Sequence, residues 1–326
     1  MRGSKLSLFD EAETDLDALA EKLRSDDPAD RRVAVVSLVD SAAPEAEGLI
    51  LALLQDADAG VRKTALRGLD GFDGYAVIAG LAAALSDAEP AIREAAAEIL
   101  ASRKAVEGLP LLVGRIGHPD SFIRAAVLHA LVERRFAPAL LPALGALGDP
   151  VAEIRREAVS VLGWLQNPQA VEGLVAATKD RDAGVRRNAA GALVFAREVE
   201  IAGDAVIDRL GDEDWQVRQE AADAIARMGL KCAVPALIAA MDDPYWQVRV
   251  KAANSLGKLR GAEAVAALGH ALGHEISNLR KEAAAALGEI AEPAARPFLE
   301  PYADDPDPDV RKLVRWALTR ISSASR

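Results

Sequence analysis

Apolar residues recur along this chain in short bursts at helical spacing, and the bursts themselves repeat. Val, Ile or Leu stands directly before an arginine at Arg62, Arg93, Arg124, Arg155, Arg186, Arg218, Arg249, Arg280 and Arg311. The interval is 31 residues each time, except 32 between Arg186 and Arg218. Counting 31 back from Arg62 reaches Arg31, preceded by Asp30, so ten units fit the chain. Seven residues after the arginine stands Leu38, Leu69, Leu100, Leu131, Leu162, Leu193, Ile225, Leu256, Leu287 or Leu318. Three residues after it stands Ala or Val, as at Ala65, Ala96, Ala158 and Ala252. Positions −1, +3 and +7 fall on one face of a helix, and the small residue lets a second helix approach closely.

This predicts a two-helix unit. The second helix carries the arginine. The first comes from segments such as "GLILALLQ" and "AVPALIAAM", which end on apolar residues such as Leu54, Leu85, Leu147 and Met241, eight before the arginine. Turns such as "SDAEPAIR" and "GDPVAEIR" join them. One such hairpin cannot bury its apolar faces alone, whereas a stack can. The expected fold is therefore all-α, an α-solenoid of about ten two-helix repeats over 10–321, with flexible tails at 1–9 and 322–326. At roughly 8–10 Å per helix layer the stack would be a curved rod on the order of 90 Å long.

Composition narrows the classes. Hydrophobic residues make up 51% but aromatics only 4%, so Ala, Leu and Val build the core. The two most apolar windows, Gly74–Ser86 and Phe136–Gly148, are 13 residues each. A bilayer span needs roughly 20. The start "MRGSKLSLFDEAETD" turns acidic at once and does not resemble a secretory signal; "MRGS" reads as an expression-vector start. A single cysteine, Cys232, forms no internal disulfide and fits a reducing cytoplasm. The net charge of −11 argues against nucleic acid and anionic membranes as partners.

One polar position is as regular as the core. Six residues before the arginine stands Asp56, Asp87, Asp149, Asp180, Asp212, Asp243 or Asp305. With the 31-residue hairpin, this spacing resembles HEAT repeats, and more narrowly the short HEAT-like class of phycobilin lyase subunits. The resemblance implies that Asp and Arg form hydrogen-bonded ladders between neighbouring units, so Arg62 to Arg311 are structural. It also implies that the second helices line a concave side.

Against that background the tryptophans stand out. Three before the arginine, other units carry Pro28, Ala59, Pro90, Ser121, Ala152, Ala183, Ser277 or Pro308; units seven and eight carry Trp215 and Trp246, with Tyr245 beside the second. Positions −3, +1, +5 and +9 form one stripe that avoids the core positions. In units five to eight it holds Arg156, Ser160 and Trp164; Arg187, Gly191 and Phe195; Trp215, Gln219, Asp223 and Arg227; and Trp246, Val250, Asn254 and Lys258. Exposed Trp and Arg dominate interface energetics. The candidate partner-binding residues are thus Trp164, Phe195, Trp215, Tyr245, Trp246, Arg156, Arg187, Gln219, Asp223 and Asn254. The competing reading has each ring filling a gap between units. Trp316 is expected to cover the end of the stack, within the basic run Arg311, Lys312, Arg315 and Arg320.

Catalytic chemistry finds little support. His118 and His274 occupy the ladder-aspartate position and read as drifted ladder residues. Only His274 is followed by Glu, as Glu275; His118, His129 and His270 are not. A HEAT-like di-iron hydroxylase, deoxyhypusine hydroxylase, uses several His-Glu pairs, and one cannot hold two metals. No HExxH, GxSxG, phosphate-cradling glycine loop or CxxC occurs. Trp164, Trp215, Trp246, Arg156 and Arg187 are faintly similar to the cleft of HEAT-like DNA glycosylases, but Glu157, Glu220 and Asp223 argue against it. The leading expectation is a non-enzymatic cytoplasmic scaffold that holds a protein partner, without cofactor or metal. The alternative, implied by the resemblance, is an assisting subunit in cofactor attachment or enzyme maturation; nucleic-acid binding comes third.

Overall fold

Second helices punctuate the chain at the spacing read from the arginines. The computed structural model describes residues 16–41, 43–104 and 106–324, so the expected tail at 1–9 lies outside the described residues. Among them every regular element is an α-helix or a short 3-10 turn. The chain falls into two units, Met1–Arg134 and Arg135–Arg326, where the sequence predicts one stack over 10–321. The first unit contains α1 (Pro28–Ser41), α2 (Ala59–Gly68), α3 (Pro90–Ser102) and α4 (Ser121–Leu131). The second contains α5 (Ala152–Leu165), α6 (Ala183–Ala192), α7 (Trp215–Met228), α8 (Trp246–Leu259), α9 (Ser277–Ile290) and α10 (Pro308–Ala324). Helix α10 runs past the expected end at 321. First helices such as Tyr75–Ala84 and Val171–Ala177 stand between them.

Each second helix begins three residues before its arginine. In α2, α6 and α7 the residue just ahead, Asp58, Asp182 or Asp214, accepts the amide of Val61, Val185 or Val217, an N-cap that fixes the helix start. The core positions do what the pattern predicts. The +7 residues of α1 to α9 are at most 2% exposed, whereas Leu318 of α10 is half-buried. Trp316 lies flat on Gly288 of α9, where any Cβ would overlap its ring.

The arginines and aspartates do form a ladder, offset by one repeat. Where the next repeat carries the aspartate, the arginine donates through Nε and Nη2 to both of its oxygens. The pairs within the units are Arg31–Asp56, Arg62–Asp87, Arg155–Asp180, Arg186–Asp212, Arg218–Asp243 and Arg280–Asp305, at 2.6–2.9 Å. Nη1 turns back to its own repeat and donates to the carbonyl of the aspartate six before it, as Arg186 does to Asp180 at 2.9 Å. The aspartate in turn accepts the amide two residues on, as Asp212 does from Asp214 at 3.0 Å. The sequence separation of the two charges is 25, and 26 for Arg186–Asp212 alone. A spacing of six on the sequence thus marks a side chain that meets a backbone carbonyl, while the charges meet across the repeat boundary.

The two histidines show what the aspartate does. His118 and His274 keep its local role as an acceptor. Their Nδ1 atoms accept the amides of Asp120 at 3.1 Å and of Ile276 at 3.0 Å. They cannot offer two anionic oxygens to the arginine of the preceding repeat. Nε of Arg93 and of Arg249 is accordingly buried with no acceptor. Arg93 lies over the Phe122 ring at 5.4 Å. His274→Asp should therefore raise stability by about 1.5–3 kcal/mol, since hydrogen bonds to charged groups contribute at that scale. Urea melts would show the gain, and Arg249→Ala in the same background should abolish it. An unchanged midpoint in His274→Asp would mean that the rung cannot be rebuilt from one side.

Candidate functional site

The stripe of positions −3, +1, +5 and +9 on α5 to α8 lies within the second unit, and most of its side chains are half-buried. This follows from stacking: side chains of the stripe lie against the next repeat, as Arg156 lies against Gly184 and Asp223 against Lys251. Arg156 extends across Gly184 of α6, where a Cβ would come within 2.9 Å of its Cδ. Trp164, at the C-terminal end of α5, is 40% exposed, and the Arg135 guanidinium lies 5.8 Å over its ring. Phe195 projects from the 3-10 turn Leu193–Ala196 that ends α6 and is half-buried.

Trp164 and Phe195 wall a pocket of about 500 Å³ formed by α5, α6 and α7. Small residues, among them Gly163, Gly191 and Ala192, line it between the rings, and Arg187, Asn188, Glu220 and Arg227 give it a polar edge. Arg187 has no carboxylate within ion-pair distance among the described residues. Glu220 is packed against Gly191, where a Cβ would come within 2.7 Å of its Oε1. Burial pushes the Glu220 carboxyl above the usual carboxylate range, and Arg227, bonded to it, pulls the other way.

Further along, Trp215 begins α7 and stacks on Tyr245 with ring centroids 5.5 Å apart and planes 11° from parallel. Tyr245 occupies the N-cap position of α8, where α7 has the capping Asp214, and is 45% exposed. The ladder arginine Arg218 lies 5.6 Å over the same ring while it binds Asp243. The pairing is thus Trp215 with Tyr245, one residue off the register that relates Trp215 to Trp246. Trp246 and Gln219 are half-buried. Asp223 is neutralised by Arg227 at 3.0 Å and Lys251 at 3.1 Å, and the Asn254 amide donates to Glu282.

The structure therefore gathers Trp164, Phe195 and Arg187 at one pocket and sets Trp215 and Tyr245 as a stacked pair. It ties Asp223 and Asn254 into contacts inside the chain. Asn188 and Glu220 escape the sequence reading as site residues. Both lie off the stripe, and only the approach of the neighbouring helix, permitted by Gly191, brings Glu220 to the pocket. Among the described residues no group of three or more His, Cys, Asp or Glu is arranged to hold a metal, and no helix is long and apolar enough to cross a membrane.

A family model described as HEAT repeats matches residues 78–147, 137–226, 203–276 and 234–319. Two solved structures agree on the fold. An engineered protein is similar at 21% identity with a TM-score of 0.54, covering 94% of this chain and 98% of that one. A chain of the structure in which Kap95p binding induces the switch loops of RanGDP to adopt the GTP-bound conformation is similar at 12% identity with a TM-score of 0.59. It covers 94% of this chain and 48% of that one. Human deoxyhypusine hydroxylase aligns at 22% identity with a TM-score of 0.34, over 76% of this chain and 96% of that one. No curated protein matches the chain.

Proposed function

Since the chain belongs to the HEAT-repeat family, we propose that it is a non-enzymatic scaffold that holds a partner protein along the aromatic strip of α5 to α8. HEAT repeats generally mediate protein–protein interaction, and such stacks are typically non-enzymatic. One observation carries the assignment to this strip. Trp164, Phe195, Trp215, Tyr245 and Trp246 remain exposed or half-exposed on four consecutive repeats, in a chain that otherwise builds its core from Ala, Leu and Val. Rings of this size are costly to leave in water without a use, and they are the usual anchors of protein interfaces. Arg156, Arg187 and Gln219 lie between them as polar contacts. Asp223 and Asn254 serve the strip by holding its helices in place.

The test separates docking from packing. Affinity purification of the tagged chain from its native host, with mass spectrometry, should return a protein that Trp164→Ala and Trp215→Ala each fail to retain. Affinity should fall by about 2 kcal/mol or more per ring, roughly 30-fold. Trp164→Ala should cost the free chain less than the about 3–5 kcal/mol of a fully buried ring, because the residue is 40% exposed already. A partner held equally well by the folded double variant would remove the strip from consideration.

A further inference from the structure

The pocket between α5, α6 and α7 has a composition that ordinary gap-filling does not explain. Its walls are two rings, Trp164 and Phe195, and its floor is made of residues without bulk. Its edge carries the Arg187 guanidinium, next to the Asn188 amide; among the described residues no carboxylate lies within ion-pair distance of it, although Glu220 is near enough to feel its charge. Neighbouring cations are differently engaged. Arg227 is shared between Glu220 and Asp223, and Arg135 lies on the Trp164 ring. On the ladder face of the same helices, each arginine in a rung binds a carboxylate with both forks. Arg187 follows Arg186 directly, and only Arg186 is satisfied.

We infer that this pocket receives an acidic-apolar segment of the partner protein: one aromatic or leucine side chain between Trp164 and Phe195, with an adjacent carboxylate on Arg187. The inference rests on the reading of the strip as a protein-docking surface. The volume suits one large side chain with its flanking backbone. A planar guanidinium matches a carboxylate through two parallel hydrogen bonds, and Asn188 adds a neutral donor beside it. Glu220 sets the limit on charge. It repels a second carboxylate from the inner edge, so the pocket selects one acid per apolar side chain and discriminates against acid runs.

Display selection of short random peptides on the full chain tests this. The wild type should enrich peptides with Phe, Trp or Leu within one or two positions of Asp or Glu. Arg187→Glu should bind those peptides at least about tenfold more weakly and turn the preference toward Lys and Arg. Glu220→Gln should bind them a few-fold more tightly, because it removes the opposing charge. Circular dichroism melts should place both variants near the parent, with Arg187→Gln as the milder second variant. Enriched peptides without acids, sensitive to Trp164→Ala but not to Arg187→Glu, would overturn the carboxylate reading and leave the docking strip standing. Peptides indifferent to Trp164→Ala and Trp215→Ala, or no enrichment while a fluorescent single-stranded oligonucleotide binds, would overturn both.

Discussion

Arg186→Ala is expected to cost about 3–5 kcal/mol, the scale seen when one member of a buried ion pair is removed and the other is left behind. The pair is buried on both sides, with side chains 7% and 2% exposed. Without Arg186, Asp212 keeps only the Asp214 amide and the more distant Arg209 at 3.3 Å. Arg296→Ala, in the exposed pair with Glu300, should fall within about 1 kcal/mol of the parent. Equilibrium urea unfolding of both gives the contrast. Equal, small losses would mean that the ladder is solvated and decorative. The pH dependence has a defined sign. Burial works to raise the Asp212 carboxyl, but the Arg186 hydrogen bonds and the Asp214 amide more than offset it, and the group lies below its ordinary value. Its contribution is thus complete above the unfolded value of about 4 and drains away as pH falls through the folded value. In Arg186→Ala only the Asp214 amide and Arg209 remain to oppose the burial. The stability gap between parent and variant should be widest near neutrality and close in acid.

Leu256→Ala should cost about 2–5 kcal/mol, from lost burial plus the cavity left between repeats. Leu318→Ala removes the same atoms from the same register position and should cost less than half as much. Leu256 is fully buried between α7 and α9, whereas Leu318 is half-buried on α10. Matched denaturation of the pair isolates what a following repeat contributes to a leucine that is otherwise identical. Similar losses would show that the register position, and not the neighbouring repeat, determines the burial.

The repeat was legible because its causes are local. The −1, +3 and +7 positions lie on one helix face, and ten copies of one pattern leave little freedom in where the second helices start. Two things were not legible. The resemblance to HEAT repeats implied a ladder between neighbouring units, but the interval of six alone does not assign Arg186 to Asp212 rather than Asp180, because it cannot tell a carboxylate contact from a carbonyl contact. The stack of Trp215 on Tyr245, and not on the register-related Trp246, depends on the rotation between adjacent helices, which repeat spacing does not encode. The candidate site divides in the same way. Trp164, Phe195 and Arg187 follow from the helical stripe. Glu220 does not, because it sits off the stripe on α7 and reaches the pocket only where Gly191 on α6 makes room.

The offset ladder also dictates where this chain can change length. Each rung joins an arginine to an aspartate about 25 residues ahead, and each arginine is tied to the carbonyl six residues behind it. The extra residue of the 32-residue interval lies between Arg186 and Asp212, and both contacts survive it. An insertion or deletion in the first helix or its loops is therefore absorbed, while one between an aspartate and its arginine would break two contacts at once. Loss or duplication of a whole repeat breaks none, since any arginine meets the next aspartate in the same geometry. Length variation among relatives should accordingly come in whole repeats or in the first helices, with the Asp-to-Arg segment invariant in length.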